Sequence, residues 1–219
     1  MGRDGIPPIS KYDMKNKLAF REYYKRRLPH IQIAGTTYFI TFRLANSLPV
    51  EALDKLAEEK HKINKLPESQ KESAHRMWFA KYDDYLDQAL HGNLYLKNEQ
   101  IADMVAESIL FRDGKVYDLI AYCIMPNHVH LVYTPRLKEK DIYFGLTEIL
   151  HSLKRHTARE ANKILQRSGT FWQDESYDHF IRDNAELERI VKYVLYNPVK
   201  AGLVKEQTNW KWSYSKYEM

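Results

Sequence analysis

Two apolar segments, residues 115–123 and 128–133, lie so close together in the sequence that they constrain the fold more than any other feature. Each has the length and character of a buried strand. Met125-Pro126-Asn127 lies between them and is typical of a turn or a bulge. Residues 36–44, rich in threonine and aromatic side chains, predict another strand, and residues 177–182 predict a short one. These strands favour a mostly antiparallel sheet.

Helical periodicity fills the stretches between the strands. The predicted helices cover residues 50–91, 98–110, 141–165 and 184–196. The first is broken near Leu66-Pro67, and Asn98 caps the second. The last is expected to end before Pro198, because a proline disfavours helical backbone in the residue that precedes it. The order of elements predicts an α+β fold, a central antiparallel sheet with helices on one face.

The division of the chain follows from the same pattern. Residues 1–30 are interpreted as an N-terminal arm, either extended on a partner or solvated. Residues 31–215 are predicted to form a single domain with a helical insertion at about 50–92. With 219 residues, of which 44% are hydrophobic, the chain can bury one substantial core.

Composition limits the cellular location and the kind of binding partner that we expect. No apolar run approaches the roughly 18 residues of a membrane span, and the N-terminus lacks the apolar core of a signal peptide. The single cysteine, Cys123, fits a reducing compartment, so a cytoplasmic location without membrane contact is expected. A net charge of +5 is compatible with a polyanion without proving one, and sixteen tyrosines suit stacking on unpaired bases.

His128 and His130 form the first candidate for chemistry. Side chains at positions i and i+2 of a strand point to the same face, so the two imidazoles lie side by side while Val129 and Leu131 face the other way. Two imidazoles placed in this way can bind one divalent ion. From these residues alone, two surface histidines on an edge strand remain an equal alternative.

Tyr193 and Asn197 form the second candidate. They are four residues apart and therefore share a helix face. A tyrosine at the margin of a buried stripe can act as a nucleophile toward phosphate, and a metal that polarises the phosphate reduces the need for a free phenolate. Asn197, expected at the frayed helix end, can offer a carbonyl oxygen as a third ligand. An ordinary tyrosine at a helix edge is the alternative.

Several ordered motifs resemble one known family. The segment Pro126-Asn127-His128-Val129-His130-Leu131 resembles the HUH motif of single-tyrosine transposases. Residues 169–183 and the Tyr-x-x-x-Asn-Pro-Val-Lys-Ala-Gly-Leu of residues 193–203 are similar to the REP-associated tyrosine transposases, and residues 35–44 fit the same subgroup. The resemblance spans roughly residues 28–215. Several motifs in order are far more specific than one His-x-His.

The resemblance implies a ferredoxin-like HUH domain that cuts single-stranded DNA beside a hairpin. It implies His128, His130 and Asn197 as ligands of a divalent metal, Mg²⁺ or Mn²⁺. Tyr193 becomes the nucleophile that forms a 5′-phosphotyrosine, and Tyr196 ranks below it because Tyr193 is the tyrosine four residues before the asparagine. The insertion exceeds the compact members of the family. It could add DNA contacts or shield a face of the sheet, and we favour shielding.

DNA contacts are predicted from charge and aromatic content. Lys154, Arg155 and Arg159 share one helix face and are expected to hold backbone phosphates, with a solvated face as an equal alternative. Trp172, Tyr177 and His179 are expected to contact unpaired bases, although Trp172 fits a core position better.

The resemblance also implies strand transfer, in which the cut strand is joined to a second strand. Two other functions compete with this cleavage and strand transfer. One is a module that binds hairpin DNA without cutting it, and the other is a hydrolase of small phosphoesters, which gives Tyr193 no role. Single-stranded or hairpin DNA is the expected partner. The sequence leaves monomer and homodimer both open.

Overall fold

A computed structural model describes residues 21–25, 29–33, 35–88 and 91–217. Most of the predicted N-terminal arm, residues 1–30, therefore lies outside the described residues. Strand β1 (Arg21–Lys25) of the arm pairs antiparallel with β2 (Pro29–Ile33), which runs past the predicted end of the arm.

The first half of the domain matches the predicted pattern closely. Strand β3 covers Tyr38–Leu44, and a helical hairpin of α1 (Val50–Asn64) and α2 (Glu68–Asp87) follows it. The break between the two helices falls at the predicted Leu66-Pro67. Helix α3 covers Glu99–Leu110, and the Asn98 side chain accepts the Ile101 N–H at 3.2 Å, which confirms the predicted N-cap.

The second half shifts some predicted boundaries. The remaining elements are β4 (Tyr117–Ile124), β5 (His128–Pro135), β6 (Leu137–Glu139), β7 (Ile142–Tyr143), α4 (Leu146–Ile164), β8 (Trp172–Phe180), α5 (Asn184–Lys200) and β9 (Ser213–Ser215). Residues 142–143 are strand, so α4 begins later than predicted, and β8 begins five residues earlier than predicted. Helix α5 does not end before Pro198 but continues through it. The preference against helix before a proline is overridden here, since the preceding Asn197 is fully buried in packing.

The central sheet has five antiparallel strands in the order β8-β3-β5-β4-β9. The succession β3, α3, β4, β5, α4, β8 is a βαββαβ unit, and its four strands lie in the spatial order fourth, first, third, second. This is the ferredoxin-like topology that the sequence resemblance implied. Strand β9 extends the sheet beside β4, so the aromatic C-terminal segment packs back as a strand.

The prediction of helices on one face is correct only for α3 and α4. Their apolar side chains pack with Ile40 and Leu131, whereas α5 packs its Val191 and Val194 with Phe39, which alternates with Ile40 along β3. Helices therefore cover both faces. The physical reason is the apolar character of β3, which is buried along its whole length and needs cover on each side.

The inserted hairpin lies on the same face as α5. Trp78 of α2 donates its Nε1–H to the Leu56 carbonyl of α1 at 2.8 Å, which joins the two helices. Phe79 then meets Phe39 of the sheet edge-on, with ring centroids 5.3 Å apart. The insertion shields this part of the sheet, as expected. Among the described residues, no helix has the length and apolar character to cross a membrane.

Candidate active site

His128 and His130 lie on the face of the sheet that α2 and α5 cover. Both side chains are completely buried, and their Nε2 atoms are 3.0 Å apart. Val129 and Leu131 point into the core on the opposite face. The predicted i, i+2 geometry is therefore confirmed, and the alternative of two surface histidines is wrong.

Hydrogen bonds to the Nδ1 atoms set the orientation and the tautomer of the two imidazole rings. His128 Nδ1 is 2.7 Å from Asn127 Oδ1, which can only accept, so the proton resides on Nδ1. His130 Nδ1 is 2.8 Å from Thr41 Oγ1, and its Nε2 faces the Asn197 amide Nδ2, a donor, at 3.0 Å. With the amides oriented by this network, each Nε2 atom carries a lone pair, and that of His130 accepts the Asn197 N–H. A cation bound by both nitrogens would replace this hydrogen bond.

Asp83 is a site residue that sequence reasoning missed. Helix α2 places its fully buried carboxylate beside the histidines, with Oδ1 3.4 Å from His130 Nε2. The other oxygen, Oδ2, accepts from the Tyr193 hydroxyl and, at 3.3 Å, from Asn197 Nδ2. One possible ligand atom from each of Asp83, His128 and His130 lies within 4.8 Å of the others.

The atoms around this triad fit a divalent cation. Asp83 Oδ1, Asn197 Oδ1 and Asp87 Oδ1 are buried without a hydrogen-bond partner, whereas Asp87 Oδ2 lies 3.0 Å from the Lys200 ammonium. Unpaired buried carboxylate oxygens are costly, and a cation offsets that cost. A set of two imidazole nitrogens with carboxylate and amide oxygens is a donor combination that divalent first-row metals accept. Asp83, His128 and His130 are therefore a candidate metal triad.

Burial sets the charge state of the site. Burial, followed by repulsion from Lys200, lowers the pKa of His128 to about 3, and burial with repulsion from His128 lowers the pKa of His130 well below its usual value. The imidazoles are thus neutral, as metal ligands must be. Burial and repulsion from Asp87 raise the pKa of Asp83 well above its usual value. The Lys200 ammonium lies 3.0 Å from the Asp87 carboxylate and partly balances this acidic group.

Tyr193 lies across the histidines on α5. Its hydroxyl donates to Asp83, and its ring meets the His130 ring edge-on with centroids 5.7 Å apart. Asn197, one turn later, is fully buried in the helix, so the expectation that it lies at a frayed end is wrong. Tyr196 is 56% exposed. The structure therefore brings Tyr193, and not the solvent-facing Tyr196, to the histidine pair.

The three predicted phosphate-binding residues lie elsewhere. Lys154, Arg155 and Arg159 belong to α4, which packs on the sheet face opposite the histidines. The Lys154 ammonium donates to the carbonyls of Gln173 and Asp174, both at 3.0 Å. Arg155 is exposed beside a cavity of about 360 Å³ between α4 and β8. Arg159 pairs with its neighbour Glu160 at 2.8 Å.

Of the three residues predicted to contact bases, Trp172 and His179 differ in their surroundings. Trp172 is buried, donates its Nε1–H to Thr157 Oγ1 at 2.8 Å and meets Phe42 edge-on. This is the core position that was considered above as the alternative to base contact for Trp172. His179 lies on β8, half-buried, with Nε2 2.9 Å from the Glu186 carboxylate.

Fold and site together define the class of protein: an antiparallel ferredoxin-like sheet presents a buried HUH histidine pair opposite a tyrosine of the helix packed across it. A model of the family described as "Transposase IS200 like" matches residues 68–197, more than half of the 219 residues. The chain therefore belongs to this family, and the motif resemblance is confirmed.

Individual relatives share part of the chain. A Haemophilus influenzae protein with the provisional name REP-associated tyrosine transposase is 32% identical over 105 residues, which is 44% of this chain and 58% of that protein. The REP-associated tyrosine transposase of Escherichia coli K12 is 27% identical over 105 residues, 48% of this chain and 58% of that protein. The chain thus spans less than two thirds of these curated relatives.

One solved structure is also similar. It is described as a REP-associated tyrosine transposase bound to a REP hairpin, and it shares 18% identity and a TM-score of 0.49 over 88% of this chain and 81% of that one.

Proposed function

We propose that this protein cleaves single-stranded DNA beside a hairpin and rejoins it to another strand through a 5′-phosphotyrosine on Tyr193. The observation that carries the proposal is the bridging position of Asp83. One carboxylate oxygen faces the His128–His130 pair, and the other holds the Tyr193 hydroxyl. A candidate nucleophile and a candidate metal triad are therefore joined through a single side chain.

The metal site is proposed to use His128, His130 and Asp83 as ligands. Asn197 is proposed as a further ligand through its Oδ1, which has no hydrogen-bond partner. A divalent ion held there, Mg²⁺ or Mn²⁺, would polarise the scissile phosphate and neutralise the charge that develops on it. Thr41 and Asn127 orient the two imidazoles by hydrogen bonds to their Nδ1 atoms, which is the usual task of residues behind metal-binding histidines.

Tyr193 performs the covalent step in this proposal. Its phenolic oxygen attacks the phosphorus in line and forms an O–P bond, while the bond from phosphorus to the 3′ oxygen breaks. Asp83 Oδ2 takes the phenolic proton, and the leaving 3′ oxygen takes a proton from water. Tyrosine has an ordinary pKa of about 10, so a carboxylate already in contact with its hydroxyl assists the attack.

Strand transfer reverses this step. The 3′-hydroxyl of a second strand attacks the phosphotyrosine, passes its proton to water and forms a new phosphodiester. The phenolic oxygen of Tyr193 leaves and regains the proton from Asp83, so that the site returns to its starting state.

The proposed substrate class rests on the names of the relatives and on the positive charge of α4. The curated relatives are named for their association with REP elements, and the resemblance implies an imperfect hairpin next to the cleavage site. The exposed Arg155 and Arg159 of α4 are proposed to contact hairpin phosphates away from the cleavage site.

A pool of labelled hairpin oligonucleotides with randomised single-stranded flanks tests the proposal. Incubation with Mg²⁺ or Mn²⁺ should give a protein–DNA adduct that survives denaturing electrophoresis, and chelator should prevent it. Tyr193→Phe should abolish the adduct, and the matched control Tyr196→Phe should retain it. A protein that retards hairpins on native gels but never forms an adduct is instead the binding module considered above.

A further inference from the structure

A cavity of about 280 Å³ adjoins the candidate active site and plays no part in the chemistry proposed above. It lies between the inserted helix α2, strand β8 and helix α5, and Tyr193 forms part of its wall. Because Tyr193 also contacts Asp83, the cavity begins where the proposed nucleophile lies. A group that fills it lies beside Tyr193 and therefore near the phosphate that Tyr193 would attack.

The walls of this cavity are largely aromatic. Phe79 of α2 stacks on Tyr177 of β8, with ring centroids 4.1 Å apart and planes inclined by 27°. Phe39 lies beneath them, 5.3 Å from Phe79 and 6.1 Å from Tyr193. Flat apolar rings of this kind accept an unpaired base irrespective of its identity, since every base has a π face.

The rim of the cavity is positively charged. Arg76, Arg189 and Lys200 line it. In the part of the chain that the structure describes, the exposed Arg189 guanidinium has no hydrogen-bond or ion-pair partner, and Arg76 has only a 3.7 Å contact with Glu72. The one acid in the lining, Glu186, already binds His179 and the Arg182 N–H. Lys200 is paired with Asp84 and Asp87, so Arg76 and Arg189 supply the positive charge that suits a phosphate backbone at the mouth.

We propose that this cavity binds the unpaired base of the nucleotide next to the scissile phosphate, with Arg76 and Arg189 holding the flanking phosphate. The inference rests on the proposed function and deepens it. It gives the insertion a role beyond shielding the sheet, since α2 supplies both Phe79 and Arg76. It also places Tyr177 and His179 of β8 at a DNA-binding surface by their position in the cavity wall.

Binding without cleavage tests this inference. The probe is a DNA hairpin with thymidine flanks in which a single 2-aminopurine is moved one position at a time, measured in chelator with the Tyr193→Phe protein. At one flank position the fluorescence should be quenched by stacking. Phe79→Ala should weaken binding about tenfold and relieve the quenching, and Arg189→Gln should weaken binding without relieving it. Met77→Ala, a 61% exposed position on the same helix, should change neither.

Photo-crosslinking provides a second readout that requires no variant to fold. With 5-iodouracil at the quenched position, the crosslink should map to residues 76–80 or to Tyr177. Crosslinks confined to α4 and the start of β8, or equal affinity and quenching in all variants, would overturn the inference. Quenching that depends on Phe79 in a wild-type protein that forms no covalent adduct would support the cavity and contradict the proposed cleavage.

Discussion

The carboxylate of Asp83 accepts the hydroxyl hydrogen of Tyr193, although 110 residues separate them in the sequence. The contact joins the inserted helix α2 to helix α5 directly above the histidine pair. Asp83 lies on α2, one of the two helices that follow β3, and within the residues 68–197 that the family model matches. The insertion therefore contributes to the site itself as well as covering the sheet.

Asp83→Asn should lower the affinity for Mn²⁺. The substitution keeps the shape and an oxygen acceptor but removes the charge that faces His130. Mutation of a residue that hydrogen-bonds to a metal ligand typically lowers metal affinity about 10- to 100-fold. Mutation of a direct ligand should lower it at least as much. Titration calorimetry measures the effect. Asp84→Asn, at a neighbouring position that is 55% exposed, should leave the affinity nearly unchanged. Equal affinity in the two variants would remove Asp83 from the ligand set.

Thr41→Val should also weaken metal binding, by about 10- to 100-fold, although Thr41 is not a ligand. It removes the oxygen that receives the His130 Nδ1–H and so frees the ring to rotate or change tautomer. Thr37→Val, just before the same strand, removes only a hydroxyl pair with Thr134 and serves as the control. Unchanged Mn²⁺ affinity in Thr41→Val would show that the imidazole is held by packing alone.

The pH dependence of stability should change in Asp87→Asn without metal. The folded pKa values of His128 and His130 are lowered from 6.5, so acidification below 6.5 protonates them only in the unfolded chain and destabilises the fold. The folded pKa values of Asp83 and Asp87 are raised from 3.8, so the same acidification protonates them in the folded chain and stabilises it. In wild type the two effects oppose each other.

Removal of Asp87 leaves the histidine effect in excess. Between pH 6.5 and about 4.5, the free energy of unfolding of Asp87→Asn should fall more steeply than that of wild type, by up to about 1.4 kcal/mol per pH unit. Urea unfolding in chelator at several pH values measures this. Parallel curves for the two proteins would mean that Asp87 ionises normally in the folded state.

Trp172→Ala should act on stability. The side chain is buried and its Nε1–H donates to Thr157, so its truncation should lower the free energy of unfolding by about 3–5 kcal/mol. The affinity of the folded protein for hairpin DNA should change little. Phe111→Ala, at a 66% exposed position, should stay within about 0.5 kcal/mol of wild type. A large loss of DNA affinity at wild-type stability would restore Trp172 to the predicted base contacts.

Arg155→Gln and Arg159→Gln should reduce the salt dependence of hairpin binding. Each lost phosphate contact should lower the slope of log K against log salt by about 0.7–0.9. Lys154→Gln should destabilise the fold instead, because its ammonium is already bonded to two backbone carbonyls of β8. Identical slopes for wild type and both arginine variants would identify this helix face as merely solvated.

The local parts of the site could be predicted from sequence, and the non-local parts could not. The strand period places His128 beside His130, and the helix period places Tyr193 beside Asn197, because both relations depend only on short spacings. Asp83 lies 45 residues before His128, on a helix whose packing position in the fold no local pattern specifies. Its only signal was the spacing of Asp83 and Asp87 on the helix face that also carries Leu86.

The fold also divides into local features that could be predicted and non-local features that could not. The order of strands and helices followed from periodicity, whereas the use of both sheet faces depended on tertiary packing. The predicted end of α5 was wrong for a related reason. The proline rule describes a local preference, and the burial of Asn197 against His130 and Asp83 outweighs it.

Peptide mapping of the covalent adduct tests the central claim most directly. Wild-type protein is incubated with Mn²⁺ and the hairpin pool, digested with nuclease and trypsin, and analysed by tandem mass spectrometry. The tryptic peptide of residues 193–200 contains both Tyr193 and Tyr196, and its fragment ions distinguish them. We predict a nucleotide phosphate on Tyr193. A nucleotide on Tyr196 or on another residue, or no modified peptide while hairpins still bind, would contradict the account.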